Sequence, residues 1–287
     1  MPQNARRTAR RRRLGTALRE AREAAEITAT QAAQTIHSDN TKLSRIETGR
    51  HRVTRLELET LFALYEVKDE KLREWLIALA AEGNKRSWWR KHSDKIGPDL
   101  KELLSLEADA ARITTFQAHV VPGLLQTRNY AAAIISGCNE RLTKEEVEFY
   151  VDLRMARQDI FQREEPTRHL VIVYEGVLRQ QIGGRRVLAE QLRHLISLSR
   201  PPEMTIQVIP FSQGAFDGAR GSFSMFSYPD PLDFDVVQVE YLDGALYLEE
   251  DATVKKYQRA IDGLRAAALS SSQSTEMIAS IARELET

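Results

Sequence analysis

The chain has 287 residues, of which 42% are hydrophobic and 29% are charged, a composition typical of folded rather than disordered proteins. Its length is near the upper limit for one hydrophobic core, which favours two domains. No apolar run reaches the roughly 18 residues of a membrane-spanning helix, and no apolar segment follows the N-terminal arginines as in a secretory signal. The single cysteine, Cys138, excludes an internal disulfide framework and a multi-cysteine zinc site. We therefore expect a cytoplasmic protein.

Charge is unevenly distributed, although 41 basic residues balance 41 acidic ones. Residues 1–55 contain thirteen Arg or Lys and five Asp or Glu, a net charge of +8, so the remainder carries −8. A basic segment on an acidic body indicates an anionic partner, with nucleic acid as the first candidate. A basic surface that only keeps the segment in solution is the alternative.

The first thirteen residues include six arginines, and the start of this stretch lacks an apolar period. We interpret residues 1–13 as a mobile basic arm whose last part can join a helix. Such an arm can follow DNA phosphates or enter a minor groove, and a solvated tail is the alternative. The arginines are Arg6, Arg7, Arg10, Arg11, Arg12 and Arg13.

Five short helices are predicted in the N-terminal part of the chain, the first with an apolar face from Leu14 onward. Capping boxes at Thr28 and Thr54 open the second and fourth helices. Asp39 caps the third helix, which ends at Gly49. The connections are short, so these helices are expected to form one compact domain.

The periodicity changes in the C-terminal part, where helices and strands are mixed. Helical patterns cover about 100–112, 127–135, 143–163, 185–199, 251–269 and 274–285. Strands are predicted at 169–174, 204–210, 222–228 and 236–241. The order strand–helix–strand predicts that the first two strands are parallel and joined by a crossover helix. We therefore expect an N-terminal all-α domain followed by an α+β domain with a small mixed sheet.

Two short helices that meet at a tight turn near His37 have the geometry of a helix-turn-helix, whose second helix enters the major groove. Leu43 and Ile46 of that helix are expected to face the core. The outward side chains are then Asn40, Thr41, Ser44 and Arg45. Asn can read adenine and Arg can read guanine, whereas Lys42 at the helix edge suits phosphate. A helical bundle used for protein contacts is the alternative.

Residues 14–66 resemble the Cro/Xre-type DNA-binding domain of phage and bacterial repressors. The resemblance rests on Thr28, on the string Leu43-Ser-Arg-Ile-Glu-x-Gly-Arg50 and on the helix after Thr54. It implies that Asn40, Thr41 and Arg45 touch bases, and that Arg22 forms a structural ion pair with Glu47. The candidate DNA-binding residues are Asn40, Thr41, Lys42, Ser44, Arg45, Arg50, Arg10, Arg11, Arg12 and Arg13.

The chain departs from this family at two positions. The family usually has a glutamine just after the cap of the second helix, where this chain has Ala29 and places Gln31 two residues later. The family usually has glycine in the turn, where this chain has His37. Histidine tolerates a positive φ better than most residues do.

The C-terminal part resembles actinobacterial WhiJ-like regulators from about Trp88 to Ile278. The segment Val121-Pro-Gly-Leu-Leu-Gln-Thr127 followed by Tyr130 carries this resemblance, with further matches downstream. These regulators are described as antitoxin-like because they are often encoded beside a small acidic partner protein. The resemblance therefore implies such a partner, or a ligand, for the second domain, and it supplies no catalytic residues.

The sequence thus predicts a DNA-binding transcriptional regulator, a repressor-like homodimer on double-stranded DNA in the nucleoid, whose second domain senses a ligand or small partner. An antitoxin-like protein that mainly neutralises its partner is the alternative, and an enzyme guided to DNA is a third class. We expect no catalytic, cofactor or metal site, because the six histidines lack metal-site spacing and no nucleophile or dinucleotide motif fits. The predicted segments are a basic arm 1–13, a helix-turn-helix domain 14–83, a linker 84–98 and a regulatory domain 99–287.

Overall fold

The computed structural model describes residues 9–80, 94–138, 141–216, 220–228 and 235–286. The chain divides into two compact units, Met1–Leu106 and Glu107–Thr287. The division falls about eight residues after the end of the predicted linker, because a helix that starts at Pro98 continues past it. Residues 84–93 of that linker, and Arg6 and Arg7 of the predicted arm, lie outside the described residues.

The first unit is helical throughout its described part. Its helices are α1 Ala9–Ala24, α2 Ala29–Thr35, α3 Asn40–Glu47, α4 Arg55–Leu64 and α5 Glu70–Ala80, and α6 Pro98–Asp109 crosses its C-terminal limit. Both predicted capping boxes are present, at Thr28 and at Thr54, and the Asp39 carboxylate accepts from the backbone of α3. One core joins α1 to α5, and its most enclosed side chains include Leu18, Leu43, Leu58, Leu61 and Leu76.

The last part of the predicted arm joins a helix, as the sequence allowed, because α1 begins at Ala9. Arginine is a good helix former and no helix breaker interrupts this stretch. The guanidinium of Arg10 donates to the carbonyl oxygen of Ala78 at 2.7 Å. Arg12 lies 3.5 Å from a carboxylate oxygen of Glu102, and Arg13 is buried. These side chains therefore pack within the first unit instead of extending freely into solvent.

The second unit is an α+β structure built on one mixed sheet. Its strands are β1 Arg112–Gln117, β2 Arg168–Tyr174, β3 Met204–Ile209, β4 Phe223–Ser227, β5 Val236–Tyr241 and β6 Gly244–Leu248. Its helices are α7 Arg128–Cys138, α8 Lys144–Arg157, α9 Glu175–Arg179, α10 Arg185–Leu198, α11 Asp251–Ala267 and α12 Ser271–Glu284. The sheet has the order β3-β2-β1-β4-β5-β6, in which β1, β2 and β3 are parallel and the other neighbours are antiparallel.

Helices cover both faces of this sheet. Val171 and Val173 of β2 point into a core with α10 and α12, while Ile172 points into a second core with α11. All three side chains are at most 1% exposed, as expected for a strand that is buried on both faces. The predicted parallel pair β2–β3 is confirmed, with α9 and α10 in the connection between the strands.

Two strands of the sheet were not predicted. The pattern from 100 to 112 was expected to be helical, but α6 ends at Asp109 and β1 follows at once. The segment after β5 turns back at Leu242 and Asp243 to form β6 at the edge of the sheet. The sheet therefore has six strands instead of four.

Candidate nucleic-acid interface

The turn between α2 and α3 is tight and is closed by the backbone. The amide of Ser38 donates to the carbonyl oxygen of Ala33 at 2.9 Å. His37 has a φ of +51°, a conformation that favours glycine but that histidine adopts more readily than most residues. His37 thus takes the place of the glycine usual in such turns. Asp39 then starts α3 by accepting from the amide of Lys42 at 2.7 Å.

The two faces of α3 differ sharply in exposure. Leu43 and Ile46 are 0% and 2% exposed and join the core of the first unit. The opposite face carries four exposed polar residues, which are Asn40, Thr41, Ser44 and Arg45. The predicted reading residues therefore share one exposed face of an eight-residue helix.

Asn40 is oriented by α2. Its side-chain amide donates from Nδ2 to the hydroxyl of Thr30 at 3.0 Å. An amide has two donor hydrogens and an acceptor oxygen. One donor and the oxygen of Asn40 thus remain available, which are the two groups that the predicted contact with adenine requires. Sequence reasoning missed Thr30, whose only signal is a hydroxyl in the first turn of α2.

The remaining outward side chains are not engaged by the residues that the structure describes. In the described part of the chain, the side chains of Thr41, Ser44 and Arg45 form no hydrogen bond or ion pair. The same holds there for Arg50, which is exposed just beyond the end of α3. Two guanidinium groups and two hydroxyls are therefore available to an external partner.

Lys42 lies at the edge of α3 and contacts α4. Its Nζ is 2.5 Å from a carboxylate oxygen of Glu57, and its side chain is 33% exposed. Glu57 is also the second member of the capping box at Thr54. Burial raises the pKa of Glu57, but the hydrogen bonds from Lys42 and Thr54 outweigh burial and hold it below its usual value. Lys42 thus ties α3 to the start of α4, a role that the sequence did not indicate.

The two residues paired through the family resemblance are in contact. Arg22 donates from Nε and Nη2 to the two carboxylate oxygens of Glu47 at 2.6 and 3.1 Å. The side chains are 12% and 9% exposed. Arg22 also donates to the carbonyl oxygen of Ile27 at 3.0 Å. The pair fastens the C-terminal end of α3 to α1 with the two-pronged geometry that guanidinium and carboxylate favour.

Two glycines let α1 and the end of α3 approach closely. A Cβ at Gly15 would lie 2.5 Å from the carbonyl oxygens of Ile46 and Glu47. Gly49 has a φ of +69°, and a Cβ there would lie 2.8 Å from the backbone nitrogen of Arg12. Glycine is therefore required at both positions. Two features therefore explain the glycine at the predicted end of the third helix: the positive φ of Gly49 and the closeness of the α1 backbone.

The other candidate chemistry is sparse. No group of three or more His, Cys, Asp or Glu that could hold a metal ion occurs among the described residues. The same residues contain no helix that is long and apolar enough to cross a membrane. Gln31 turns back to the cap of α2, where its side-chain oxygen accepts from the backbone of Thr28 at 2.9 Å.

The comparisons with known proteins divide the chain in a similar way. A family described as "Helix-turn-helix domain" matches residues 13–76, and one described as "Domain of unknown function (DUF5753)" matches residues 100–280. No curated protein and no solved structure matches the chain. The second match covers more than half of the chain. The protein therefore carries an N-terminal helix-turn-helix domain and belongs to the family described as domain of unknown function DUF5753.

Proposed function

We propose that the protein is a transcriptional regulator that reads a specific double-stranded DNA site with α3. The observation that carries the proposal is the outer face of α3, where exposed and unengaged donors stand on a helix that is fixed on its other sides. Arg45 is assigned to guanine and Asn40 to adenine, and Thr41 and Ser44 supply shorter contacts. Arg50 is assigned to phosphate.

The arginines of α1 are a weaker part of the proposal. Arg10 and Arg12 have contacts within the first unit, and Arg13 is buried. We therefore assign the sequence-independent contacts first to Arg50. The Cro/Xre type remains our proposal for the domain because the helix order, the turn and the Arg22–Glu47 contact agree with that resemblance.

We also propose that the protein binds as a homodimer and that its second unit supplies the regulatory input. A single short reading helix contacts only a few base pairs, so two half-sites about one helical turn apart are needed for useful specificity. The second unit has two hydrophobic cores of its own, which suits a separate sensing domain of the WhiJ-like kind. A ligand or a small partner protein would act there.

The experiment starts from the full chain and a random DNA library. Bound DNA is selected and sequenced to define the site, and affinities are then compared with those for unrelated DNA. Arg45→Ala and Asn40→Ala should each weaken specific binding by about 1–3 kcal/mol, with a smaller effect on unrelated DNA. Arg19→Ala is the matched control because it removes the same charge from an exposed position on α1.

The result can contradict the proposal in two ways. An equal loss of affinity for selected and unrelated DNA would show that Arg45 and Asn40 do not read bases. A library that yields no common sequence would remove sequence-specific DNA binding altogether. A selected site without two related halves would contradict only the homodimer.

A further inference from the structure

Two arginines lie side by side within the second unit. Arg154 and Arg157 lie about one turn apart on α8, so their side chains project from the same side of the helix. Arg157 donates from Nε and Nη2 to the two carboxylate oxygens of Glu107 at 3.0 and 2.6 Å. The side chains of Arg157 and Glu107 are only 10% and 4% exposed. One guanidinium of the pair is thus neutralised by a buried carboxylate.

The second guanidinium has a neutral partner. Arg154 donates from Nη1 to the side-chain oxygen of Gln126 at 2.7 Å, and in the described residues it forms no ion pair. Burial, together with repulsion from Arg157, lowers the pKa of Arg154 to about 10. Glu240 attracts both arginines from a distance, but its carboxylate is exposed and accepts from Gln238 at 3.3 Å.

Two donors of Arg154 have no partner among the described residues. Its Nε and Nη2 form no hydrogen bond there, and neither is among the buried polar atoms without a partner in the same residues. The residue as a whole is partly exposed. Gly123 lies against both guanidinium groups, because a Cβ there would be 3.8 Å from Nε of Arg154 and 3.5 Å from Nη1 of Arg157. The unpaired donors therefore lie close to a backbone that carries no side chain.

A purely structural role does not explain the charge at position 154. Gln126 is already tied by two other bonds, from its Nε2 to the carbonyl oxygen of Val121 at 2.7 Å and from Gln158 to its own carbonyl oxygen at 2.8 Å. A partly buried cation without a carboxylate is costly. A carboxylate supplied from outside would remove that cost and repeat the geometry of Arg157 with Glu107.

We propose that Arg154 binds the carboxylate group of a small organic acid beside Gly123. The planar fork of the guanidinium matches a carboxylate with two parallel hydrogen bonds. One negative charge is sufficient, since Glu107 already neutralises Arg157. Because Arg154 also holds Gln126, a bound carboxylate would act directly on the segment 121–127. This site is independent of the proposed DNA binding.

The test uses the full chain without DNA and three sodium salts of monocarboxylic acids, namely acetate, butyrate and benzoate. Chloride and inorganic phosphate at the same ionic strength serve as reference anions. Binding is measured by calorimetric titration, with the shift in melting temperature as a second readout. We expect saturable binding of at least one carboxylate, which Arg154→Gln weakens at least tenfold. Arg154→Lys, which keeps the charge but not the fork, should show an intermediate loss.

Arg128→Gln is the matched control, because it removes an exposed arginine of the same unit that pairs with Glu148 and Asp152. This variant should bind as the unaltered protein does. Equal binding by Arg154→Gln and the unaltered protein overturns the proposal, as does tighter binding of phosphate than of every carboxylate. Should Arg154→Gln not fold, the titrations of the unaltered protein decide. The proposal is overturned if no carboxylate binds specifically at any concentration up to that of the reference anions.

Discussion

The contact between Arg22 and Glu47 gives a quantitative test of how α3 is held. Glu47→Ala leaves a guanidinium that is 12% exposed with only the half-exposed carboxylate of Glu23, 3.6 Å from its Nη2. Removing one member of a fully buried ion pair costs about 3–5 kcal/mol. Arg22 keeps its bond to the carbonyl oxygen of Ile27 and water reaches part of it, so we expect a loss of about 3 kcal/mol, the low end of that range. Glu47→Gln keeps one acceptor and should cost about half as much.

The assay must report on the first unit separately from the second. Hydrogen exchange followed by mass spectrometry does so, because peptides from α1 and α3 give the local free energy of opening. The double variant Arg22→Met, Glu47→Ala completes a cycle. It should be less destabilised than the sum of the single variants, because no unpaired charge is left.

The exposed pair Arg19–Glu23, on the same helix, is the control for this measurement. Its side chains are 59% and 52% exposed and its charged atoms are 2.8 Å apart, so Arg19→Ala should leave exchange in α1 and α3 unchanged. Arg19 is the member to change because Glu23 also lies 3.6 Å from Arg22. If Glu47→Ala and Arg19→Ala give the same exchange rates, or if the cycle shows no coupling, the contact does not hold α3 in place.

Three further changes have defined outcomes. His169 is fully buried, which lowers its pKa to about 3. Only the unfolded chain gains this proton as pH falls below about 6.5. The free energy of unfolding of the unaltered protein should therefore fall by about 2–3 kcal/mol more than that of His169→Gln between pH 6.5 and 4.5. Equal dependence of the two free energies on pH would contradict this. Thr30→Val should weaken the preference for adenine at the base assigned to Asn40, but by less than Asn40→Ala does. Competition with single-base variants of the site measures this preference, and an unchanged preference would refute the orienting role of Thr30. Gly49→Ala should destabilise the first unit by more than about 1 kcal/mol in urea unfolding, because position 49 has a positive φ and a backbone segment lies close to it. Gly97→Ala should not, because its Cβ would meet nothing within 4 Å.

Local signals in the sequence were sufficient for most helices of the first unit. A capping box is formed by two residues three positions apart in the sequence, so Thr28 and Thr54 mark the starts of helices without knowledge of the fold. The inward face of α3 follows from the spacing of Leu43 and Ile46 alone. The residues on the other side of the helix must then face outward. The exposed face of α3 could therefore be predicted before the structure.

Strand β1 shows why the sheet was only partly predictable. Thr114 and Thr115 are each 4% exposed, although they are polar and interrupt any apolar pattern. The hydroxyl of Thr115 lies 3.1 Å from Nε2 of His169 and 3.2 Å from the hydroxyl of Ser224. Both partners are far away in sequence, so the burial of a threonine here depends on strand pairing that no local pattern reveals. Strand β6 is hidden for the opposite reason, because it lies at the edge and Leu246 is 52% exposed.

Two of the three contacts that fix α3, those of Asn40 and Lys42, could not be predicted from the sequence, whereas the contact of Glu47 with Arg22 was implied by the family resemblance. Asn40 is held by α2, Lys42 by the first turn of α4, and Glu47 by α1, so three neighbouring helices each bind one polar side chain along its edges. Rotation of α3 about its axis would break all three contacts at once. A side chain that reads a base must be placed within a few tenths of an ångström, which only a supported helix provides. The polar residues of α3 thus divide into those that orient the helix and those, such as Arg45, that remain available for the proposed contacts with DNA.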